Sequence, residues 1–384
     1  MAEKKERERI IRISRRVNVS RLQKILITGG SILFAFLMCG LISNFVEPGS
    51  FLDFYIYMFT GTFSTPKMIL KLLWQFALLL LIALALTPAF KMKFWNIGAE
   101  GQCLMGGLGA LIGLYFVAPH VSLFTALLVE FLLAVAFGIA WAVVPAIFKA
   151  FFNTNETLFT LMMNYIAMGI VATFVMANSN TSTGTIDPLN TDTHAGWIPV
   201  NDFFNNSYII NILIVVIVAI LLFVYLKYSK HGYELSVVGG SRNTAKYVGI
   251  NVKEVIIRTI ILSGAICGIA GFLIVAGADH TISTTTIGGR GFTAILISWI
   301  GGFSVPLMAF YSFLISFVSE GSSNAASWIG YSRNVANVLV ALFFIFIVAS
   351  GFFVNFKLHI HLPKKHKGEP ANTEVLDSGK EVAQ

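Results

Sequence analysis

Long uncharged runs of apolar residues alternate along this chain with short polar stretches. About ten of these runs approach the roughly 20 residues that a helix needs to cross the hydrocarbon core of a bilayer. They therefore predict an all-α polytopic membrane protein. The predicted spans lie near residues 24–46, 69–90, 96–117, 121–148, 156–177, 208–226, 254–277, 285–302, 304–320 and 334–356.

The third and eighth spans open with similar glycine-rich polar stretches. Residues 97–101 are IGAEG and residues 287–291 are IGGRG. Both spans are predicted to be broken or re-entrant helices. In the span count the two stretches enter the membrane from opposite sides, as they would in an inverted repeat. Five residues can also match by chance in glycine-rich helices, so the sequence leaves both explanations open.

The composition divides the chain into three parts. A basic segment, residues 1–23, precedes the transmembrane domain, residues 24–356, and a polar tail, residues 357–384, follows it. The chain is 56% apolar and 12% charged, with 34 phenylalanines and a mean hydropathy of +0.77. About a quarter of the residues of a soluble domain are charged. The composition therefore excludes a soluble domain in this chain.

The distribution of charge predicts which loops face the cytoplasm. Residues 1–24 hold nine Lys or Arg and three Glu, and residues 225–253 hold five Lys or Arg and one Glu. Residues 357–367 hold four Lys and three His, whereas residues 178–207 hold three Asp and no Lys or Arg. Basic loops favour the cytoplasmic side. Both termini are therefore predicted to be cytoplasmic, in a multi-pass protein of the cytoplasmic membrane. A basic arm can also bind nucleic acid, but nothing else in the chain supports such a partner.

The sequence carries no signature of catalysis. The nearest approach to the phosphate-binding pattern G-x-x-x-x-G-K-[ST] begins at Gly240, but Ala245 and Tyr247 replace two of its required residues. The three cysteines fall inside apolar runs, with no metal or disulfide spacing. We therefore predict no catalytic residue, no metal site and no cofactor bound by this chain.

Polar side chains at the start of the third span are candidates for the solute pathway. Asn96 and Glu100 share one helix face, and Gln102 lies on a neighbouring stripe with small residues. A carboxylate inside a span is costly unless it is paired or hydrated, which marks it as functional by default. The structural alternative is that Asn96 caps this helix and Glu100 stabilises its first turn. Further along, Gly109 and Gly113 have the spacing that lets another helix approach closely.

Two further intramembrane polar residues are candidates for the same pathway. Asn164 lies within the fifth span, where a carboxamide suits ribose hydroxyls or the edge of a base, or else bonds to a neighbouring helix. Glu130 lies mid-span among apolar residues and needs a partner or water, for which Arg290 is conceivable.

The loop over residues 225–253 predicts a short helix between two spans. Ser241 or Asn243 can cap a helix over residues 244–248, and Gly249 supplies a natural stop. Asn251, followed by Glu at the third helical position, forms a capping-box pattern before the next span. Without further information, this helix could also be an ordinary interfacial one.

Three blocks of the sequence resemble permease subunits of ATP-binding cassette (ABC) importers. Residues 239–272 (GGSRNTAKYVGINVKEVIIRTIILSGAICGIAGF) resemble the cytoplasmic coupling loop of the ribose and branched-chain amino-acid class. Residues 94–102 (FWNIGAEGQ) and 155–167 (NETLFTLMMNYIA) resemble blocks of the nucleoside and simple-sugar permeases. The blocks occur in the order found in that family, and with the span pattern the resemblance covers residues 24–356.

The resemblance implies a transport subunit that catalyses nothing itself. ABC ATPase subunits would bind ATP and Mg²⁺ and dock on the coupling loop, residues 227–253, through Ser241, Asn243, Ala245, Gly249, Ile250 and Asn251. A second permease subunit, usually a different chain in nucleoside systems, would complete the pore, and an extracytoplasmic binding protein would deliver solute. The family often has an acidic residue near position 243, where this chain has Asn. The expected solute is a nucleoside; a ribose-type sugar is the alternative, and an ion-gradient-driven secondary transporter is the alternative of another class.

Overall fold

The computed structural model describes residues 11–16, 19–179, 186–200 and 208–360. The described residues divide into two compact units, one within Ile32–Val348 and the other within Met1–Ser31 and Ala349–Gln384. The helices of the described residues are α1 (Arg21–Val46), α2 (Phe51–Phe63), α3 (Pro66–Lys91), α4 (Ala99–Phe116), α5 (Leu123–Phe152), α6 (Glu156–Asn178), α7 (Tyr208–Tyr228), α8 (Lys230–Gly240), α9 (Arg242–Tyr247), α10 (Val252–Ile274), α11 (Arg290–Ile300), α12 (Val305–Ile329) and α13 (Arg333–Asn355).

The all-α membrane architecture is confirmed. Within the described residues, nine helices are long and apolar enough to cross a membrane, and α11 is a shorter apolar helix. With 11 residues, α11 is about 16 Å long at 1.5 Å per residue, which is too short to span the bilayer. The eighth predicted span, residues 285–302, is therefore a loop followed by a short helix, as its glycine-rich opening indicated. The same prediction was wrong for the third span, because α4 is a continuous helix from Ala99 to Phe116.

Several elements were not predicted from the sequence. The short helix α2 follows the first span, and α8 fills the beginning of the loop that was expected to hold a single short helix. In the unit formed by the chain ends, strand β1 (Ile11–Arg15) pairs antiparallel with strand β2 (Phe356–Ile360). Most of the predicted polar tail, residues 361–384, lies outside the described residues.

Glycines let α4, α5 and α10 pack with their backbones in contact. A Cβ added at Gly109 would lie 2.6 Å from the carbonyl oxygen of Leu133 in α5, and one at Gly138 would lie 2.5 Å from that of Gly264 in α10. The close approach predicted from Gly109 and Gly113 is thus confirmed, with α5 as the partner helix. The three cysteines are free and buried, as their apolar surroundings predicted.

Candidate functional site

The turn between α3 and α4 is held by its own side chains. The Asn96 side-chain oxygen accepts a hydrogen bond from the Gly98 N–H at 2.9 Å, and its amide nitrogen reaches Gln102 Oε1 at 3.3 Å and Ser263 Oγ at 3.4 Å. Gly98 is the residue that precedes α4. Asn96 and Gln102 are both buried, so these bonds satisfy polar groups that would otherwise be costly inside the protein.

Asn164 fixes the same turn from the neighbouring helix α6. Its side-chain oxygen accepts from the Gly101 N–H at 2.9 Å, and its amide donates to the Ile97 carbonyl at 2.9 Å. The hydroxyl of Thr160, one turn earlier in α6, accepts from the Ile97 N–H at 3.1 Å. The turn and the first residues of α4 are therefore hydrogen-bonded to the polar face of α6, which accounts for the polar side chains of this stretch.

Glu100 brings the two glycine-rich stretches together. One carboxylate oxygen accepts from the Gly289 N–H at 2.8 Å, and the other accepts from the Gly291 N–H at 2.7 Å. These donors lie at the start of α11, where a helix presents unpaired N–H groups and the positive end of its dipole. Glu100 thus stabilises the first turn of α11, in addition to lying in the first turn of its own helix. The two glycine-rich stretches that suggested an internal repeat therefore contact each other directly. That they are related by inverted symmetry stays a prediction.

Arg290 lies in the first turn of α11 and binds groups other than the one suggested for it. Its Nε and Nη2 donate to Gln75 Oε1 at 3.2 and 3.0 Å, and its Nη1 donates to the carbonyls of Thr286 and Ile287 at 3.1 and 3.0 Å. Arg290 therefore connects the loop before α11 to α3. The suggested pairing of Arg290 with Glu130 is not found in the structure.

Glu130 is buried without a hydrogen-bond partner in the described part of the chain. Its side chain is 0% exposed, and neither carboxylate oxygen has a partner there. It lies against Gly113 of α4 and Gly196 of the loop between α6 and α7. Burying a carboxyl group without a hydrogen-bond partner is costly, which marks Glu130 as a candidate functional group.

A polar cavity of about 930 Å³ lies between α3, α12, α13 and the loop before α11. Charged side chains of both signs reach it, and Lys71 pairs with Glu320 at 2.8 Å. Hydroxyl groups make up much of the remaining lining. The lining residues with charged, amide or hydroxyl groups are Lys71, Gln75, Asp279, Thr281, Ser283, Thr285, Thr286, Arg290, Thr293, Ser316, Ser319, Glu320, Ser323, Arg333 and Asn337.

The five residues predicted for the solute pathway do not line this cavity; they are Asn96, Glu100, Gln102, Asn164 and Glu130. Their role in transport stays a prediction. Glu100 does not line the cavity, but it holds the backbone on both sides of Arg290, which does. Sequence reasoning missed the lining residues themselves. The signals that could have identified them are Lys71 and Glu320 within predicted spans, and the hydroxyl-rich run at residues 281–286.

The loop between α7 and α10 contains the predicted short helix, shifted by up to two residues. Ser241 caps α9 and accepts from the Thr244 N–H at 3.3 Å, whereas Asn243 is exposed. Gly249 adopts a φ of +83°, and the Ile250 N–H donates to the Ala245 carbonyl at 2.9 Å. These bonds are those of a glycine-terminated helix.

The beginning of the next span is capped by the predicted asparagine, but the predicted capping box is only half formed. Asn251 caps α10 through the Glu254 N–H at 3.5 Å, while the carboxylate of Glu254 pairs with Arg258. The glutamate therefore bonds forward along its own helix, and the structure records the asparagine half of the capping box.

The α7–α10 loop is anchored to the spans at a histidine that the sequence analysis did not single out. His231 Nδ1 lies 3.0 Å from the Tyr225 hydroxyl, and Nε2 lies 3.2 Å from the Thr259 hydroxyl. Burial lowers the pKa of His231 below its ordinary value. The neutral ring therefore connects α8 to the end of α7 and to α10.

The chain is similar to known permeases over most of its length. The model of the family described as the permease component of branched-chain amino acid transport systems matches residues 68–348. A guanosine ABC transporter permease protein of Bacillus subtilis is 26% identical over 86% of this chain and 95% of its own length. A nucleoside ABC transporter permease protein of Lactococcus lactis is 24% identical over 92% and 100%, respectively. A glucose ABC transporter permease protein of Haloferax volcanii is 26% identical over 85% and 88%.

Proposed function

Because the chain belongs to the family of branched-chain amino acid transport permease components, it is a membrane subunit of an ABC importer, and we propose that its solute is a nucleoside. The observation that carries this choice of solute is the alignment with permeases named for guanosine and for nucleosides. Those alignments extend over 86% and 92% of this chain.

The polar cavity supports a hydroxyl-bearing solute. Its volume of about 930 Å³ falls within the range of small-molecule sites, roughly 300–1,000 Å³. The hydroxyl, amide and charged side chains of its lining can exchange hydrogen bonds with ribose hydroxyls and with the polar edge of a base. Phe344 is the aromatic residue in the lining, so hydrogen bonding rather than extensive base stacking would recognise the solute.

A simple sugar is the second candidate solute, for the same chemical reason. A lining rich in Ser and Thr suits a free sugar as well as a ribose, and the relative named for glucose is 26% identical to this chain. The two candidates differ in the base, so transport assays with both compounds distinguish them.

The proposed transporter contains this chain and three kinds of partner. ATPase subunits that bind ATP and Mg²⁺ dock beneath α9, a second permease chain faces the cavity, and an extracytoplasmic binding protein delivers the solute. In this arrangement residues 285–302 cross the membrane as a loop followed by α11, so that ten crossings leave both termini and the α7–α10 loop cytoplasmic. The support is the family membership together with the basic charge of these segments.

The structure supports a route by which movement of α9 reaches the cavity. Ala245 of α9 belongs to a buried cluster that also contains Met92 and Phe94 of the α3–α4 turn. That turn leads into Glu100, which holds the start of α11, where Arg290 reaches the cavity. Closure of the ATPase subunits would move α9. Through these contacts the movement would reach Arg290 in the lining of the cavity.

An ion-gradient-driven transporter would use buried carboxylates as coupling sites. Glu130 is such a group, since it is buried without a partner in the described residues. The family membership favours ATP as the source of energy. Uptake measured with the proton gradient collapsed and ATP maintained decides between ATP and an ion gradient.

The test is uptake of radiolabelled uridine, adenosine and ribose by cells with and without this chain, with the proton gradient collapsed and ATP maintained. Nucleoside uptake that requires the chain and survives collapse supports the proposal. Uptake that disappears on collapse contradicts ATP-driven transport, and uptake of ribose alone contradicts the nucleoside as solute.

A further inference from the structure

Two adjoining pockets lie where the transmembrane helices α3 and α7 end. Lys91 is the last residue of the span Pro66–Lys91, and Lys227 is in the last turn of the span Tyr208–Tyr228. Both helices therefore reach the membrane–water boundary at the same place. Lipid headgroups lie at this level of the membrane.

The first pocket combines aromatic rings with two lysines. It has a volume of about 370 Å³ and is lined by Phe90, Lys91, Lys93, Trp95, Trp299 and Phe303. The rings of Trp95 and Trp299 are 4.6 Å apart, and each residue is 41% or more exposed. Amphipathic aromatic rings of this kind are favoured at the headgroup level of a membrane.

The second pocket is an apolar groove that continues from the first. Its volume is about 320 Å³, and it shares Lys91 and Phe303 with the first pocket. Side chains of α3, α7 and α12 form its walls, and Lys227 of α7 is among them. The groove is lined by Leu84, Thr87, Lys91, Leu222, Phe223, Leu226, Lys227, Phe303, Ser304, Val305 and Pro306.

The charge of the two pockets has a single sign. Lys91, Lys93 and Lys227 line them, and no acidic residue of the described chain does. None of these lysines forms an ion pair within the described residues. The pockets therefore complement an anionic group attached to an apolar chain.

General preferences explain part of this arrangement but leave its shape unexplained. Lysines at helix C-termini complement the helix dipole, and tryptophans anchor helices at the interface. These preferences do not require a strained backbone in the turns that contain Lys93 and Phe303. Lys93 and Phe303 both adopt a φ of +59°, a conformation that is unfavourable for residues with side chains and is concentrated at ligand-binding sites.

We propose that these pockets bind one anionic phospholipid. The headgroup phosphate lies among Lys91, Lys93 and Lys227, and an acyl chain lies in the groove between α3, α7 and α12. Basic pockets between transmembrane helices recognise anionic headgroups in this way. The site is independent of the solute that the protein transports.

The test is native mass spectrometry of the full chain after mild detergent extraction, with added phosphatidylglycerol or phosphatidylcholine. We expect one retained phosphatidylglycerol per chain and no comparable retention of phosphatidylcholine. Each lysine near an anionic headgroup contributes a factor of about five to binding. The triple variant K91Q/K93Q/K227Q should therefore bind phosphatidylglycerol about a hundredfold more weakly.

Two further variants separate the site from general effects of charge and folding. K91R/K93R/K227R keeps the charge and should retain the lipid, whereas K67Q/K246Q/K253Q removes three lysines outside both pockets and should bind like the unmodified chain. Unchanged phosphatidylglycerol affinity in the first triple variant would overturn the proposal. Equal retention of phosphatidylcholine would overturn it as well. If K91Q/K93Q/K227Q loses a protein partner while its lipid affinity is unchanged, the surface is a protein interface instead.

Discussion

Gly101 of α4 lies against the side chain of Asn164 in α6. The absence of a side chain lets the Gly101 N–H reach the Asn164 oxygen at 2.9 Å. An added Cβ would lie 2.8 Å from that oxygen and 3.0 Å from the Asn164 Cα. The α4–α6 contact therefore depends on the smallest residue at one position and a carboxamide at the other.

Gly101→Ala should destabilise the protein. Overpacking costs roughly 1–3 kcal/mol and outweighs the roughly 1 kcal/mol by which Ala favours a helix. The matched control is Gly169→Ala in α6, where an added Cβ meets nothing within 4 Å. The measurement is the thermal unfolding midpoint in detergent. A midpoint for Gly101→Ala at or above that of the control would contradict the assigned contact.

Glu100→Gln should weaken the start of α11. An amide can accept only through its oxygen, so either Gly289 or Gly291 loses its acceptor. Losing a hydrogen bond to a charged group costs about 2 kcal/mol. The measurement is hydrogen exchange at the amides of Gly289 and Gly291, which should become faster. Glu254→Gln, which changes an exposed carboxylate at the start of α10, should leave that exchange unaltered.

At the scale of elements, the α7–α10 loop is built from local signals that lie close together in the sequence. Ser241 begins α9, Gly249 ends its turn and Asn251 begins α10. Such caps act over a few residues, which is why the sequence predicted α9 to within two residues. The preceding helix α8 depends in part on His231, whose partners Tyr225 and Thr259 belong to other helices. Its anchoring could not be predicted from local pattern.

Gly249→Trp should abolish uptake while leaving the protein in the membrane. A bulky residue at a φ of +83° both strains the turn and alters the surface on which the ATPase subunits are proposed to dock. Gly249→Asn is the control, because Asn tolerates this conformation better than other residues with side chains. The measurements are uptake and the amount of chain in the membrane fraction. Normal uptake by Gly249→Trp would contradict the assignment of α9 as the coupling helix.

At the scale of the whole molecule, the cavity is assembled from distant parts of the sequence. Gln75 of α3 and Arg290 of α11 meet in its wall at 3.0 Å, and Lys71 of α3 meets Glu320 of α12 at 2.8 Å. Charged groups within membrane-spanning helices require partners. The packing of α3 between the later helices provides those partners.

Reversing one charge of the Lys71–Glu320 pair should destabilise the cavity, and reversing both should restore it. Lys71→Glu places two carboxylates together, Glu320→Lys places two ammonium groups together, and the double variant re-forms an ion pair. The Lys71 side chain is 39% exposed, so the coupling energy should be about 1 kcal/mol. The double-mutant cycle is measured by unfolding midpoints and by uptake. Strictly additive effects of the two changes would contradict the pairing.

The sequence by itself determined the properties that depend on neighbouring residues. Apolar runs specified the long helices, and capping residues located α9 and the start of α10. A glycine-rich opening marked the interrupted eighth span, although the same signal wrongly predicted a break in the third. Each follows from hydrophobic burial or from hydrogen bonds between residues a few positions apart. The blocks shared with transport permeases likewise identified the family, because they are continuous in the chain.

Only the tertiary structure decided which polar groups meet. It joined Glu100 to Gly289 and Gly291, left Glu130 without a hydrogen-bond partner among the described residues, and placed the cavity beside Lys71 and Glu320. Glu100 and Gly291 are 191 positions apart, and no local pattern specifies such a pairing. The physical reason is that a buried charge must find whatever donor the packing of other helices brings to it, and that packing depends on the whole chain.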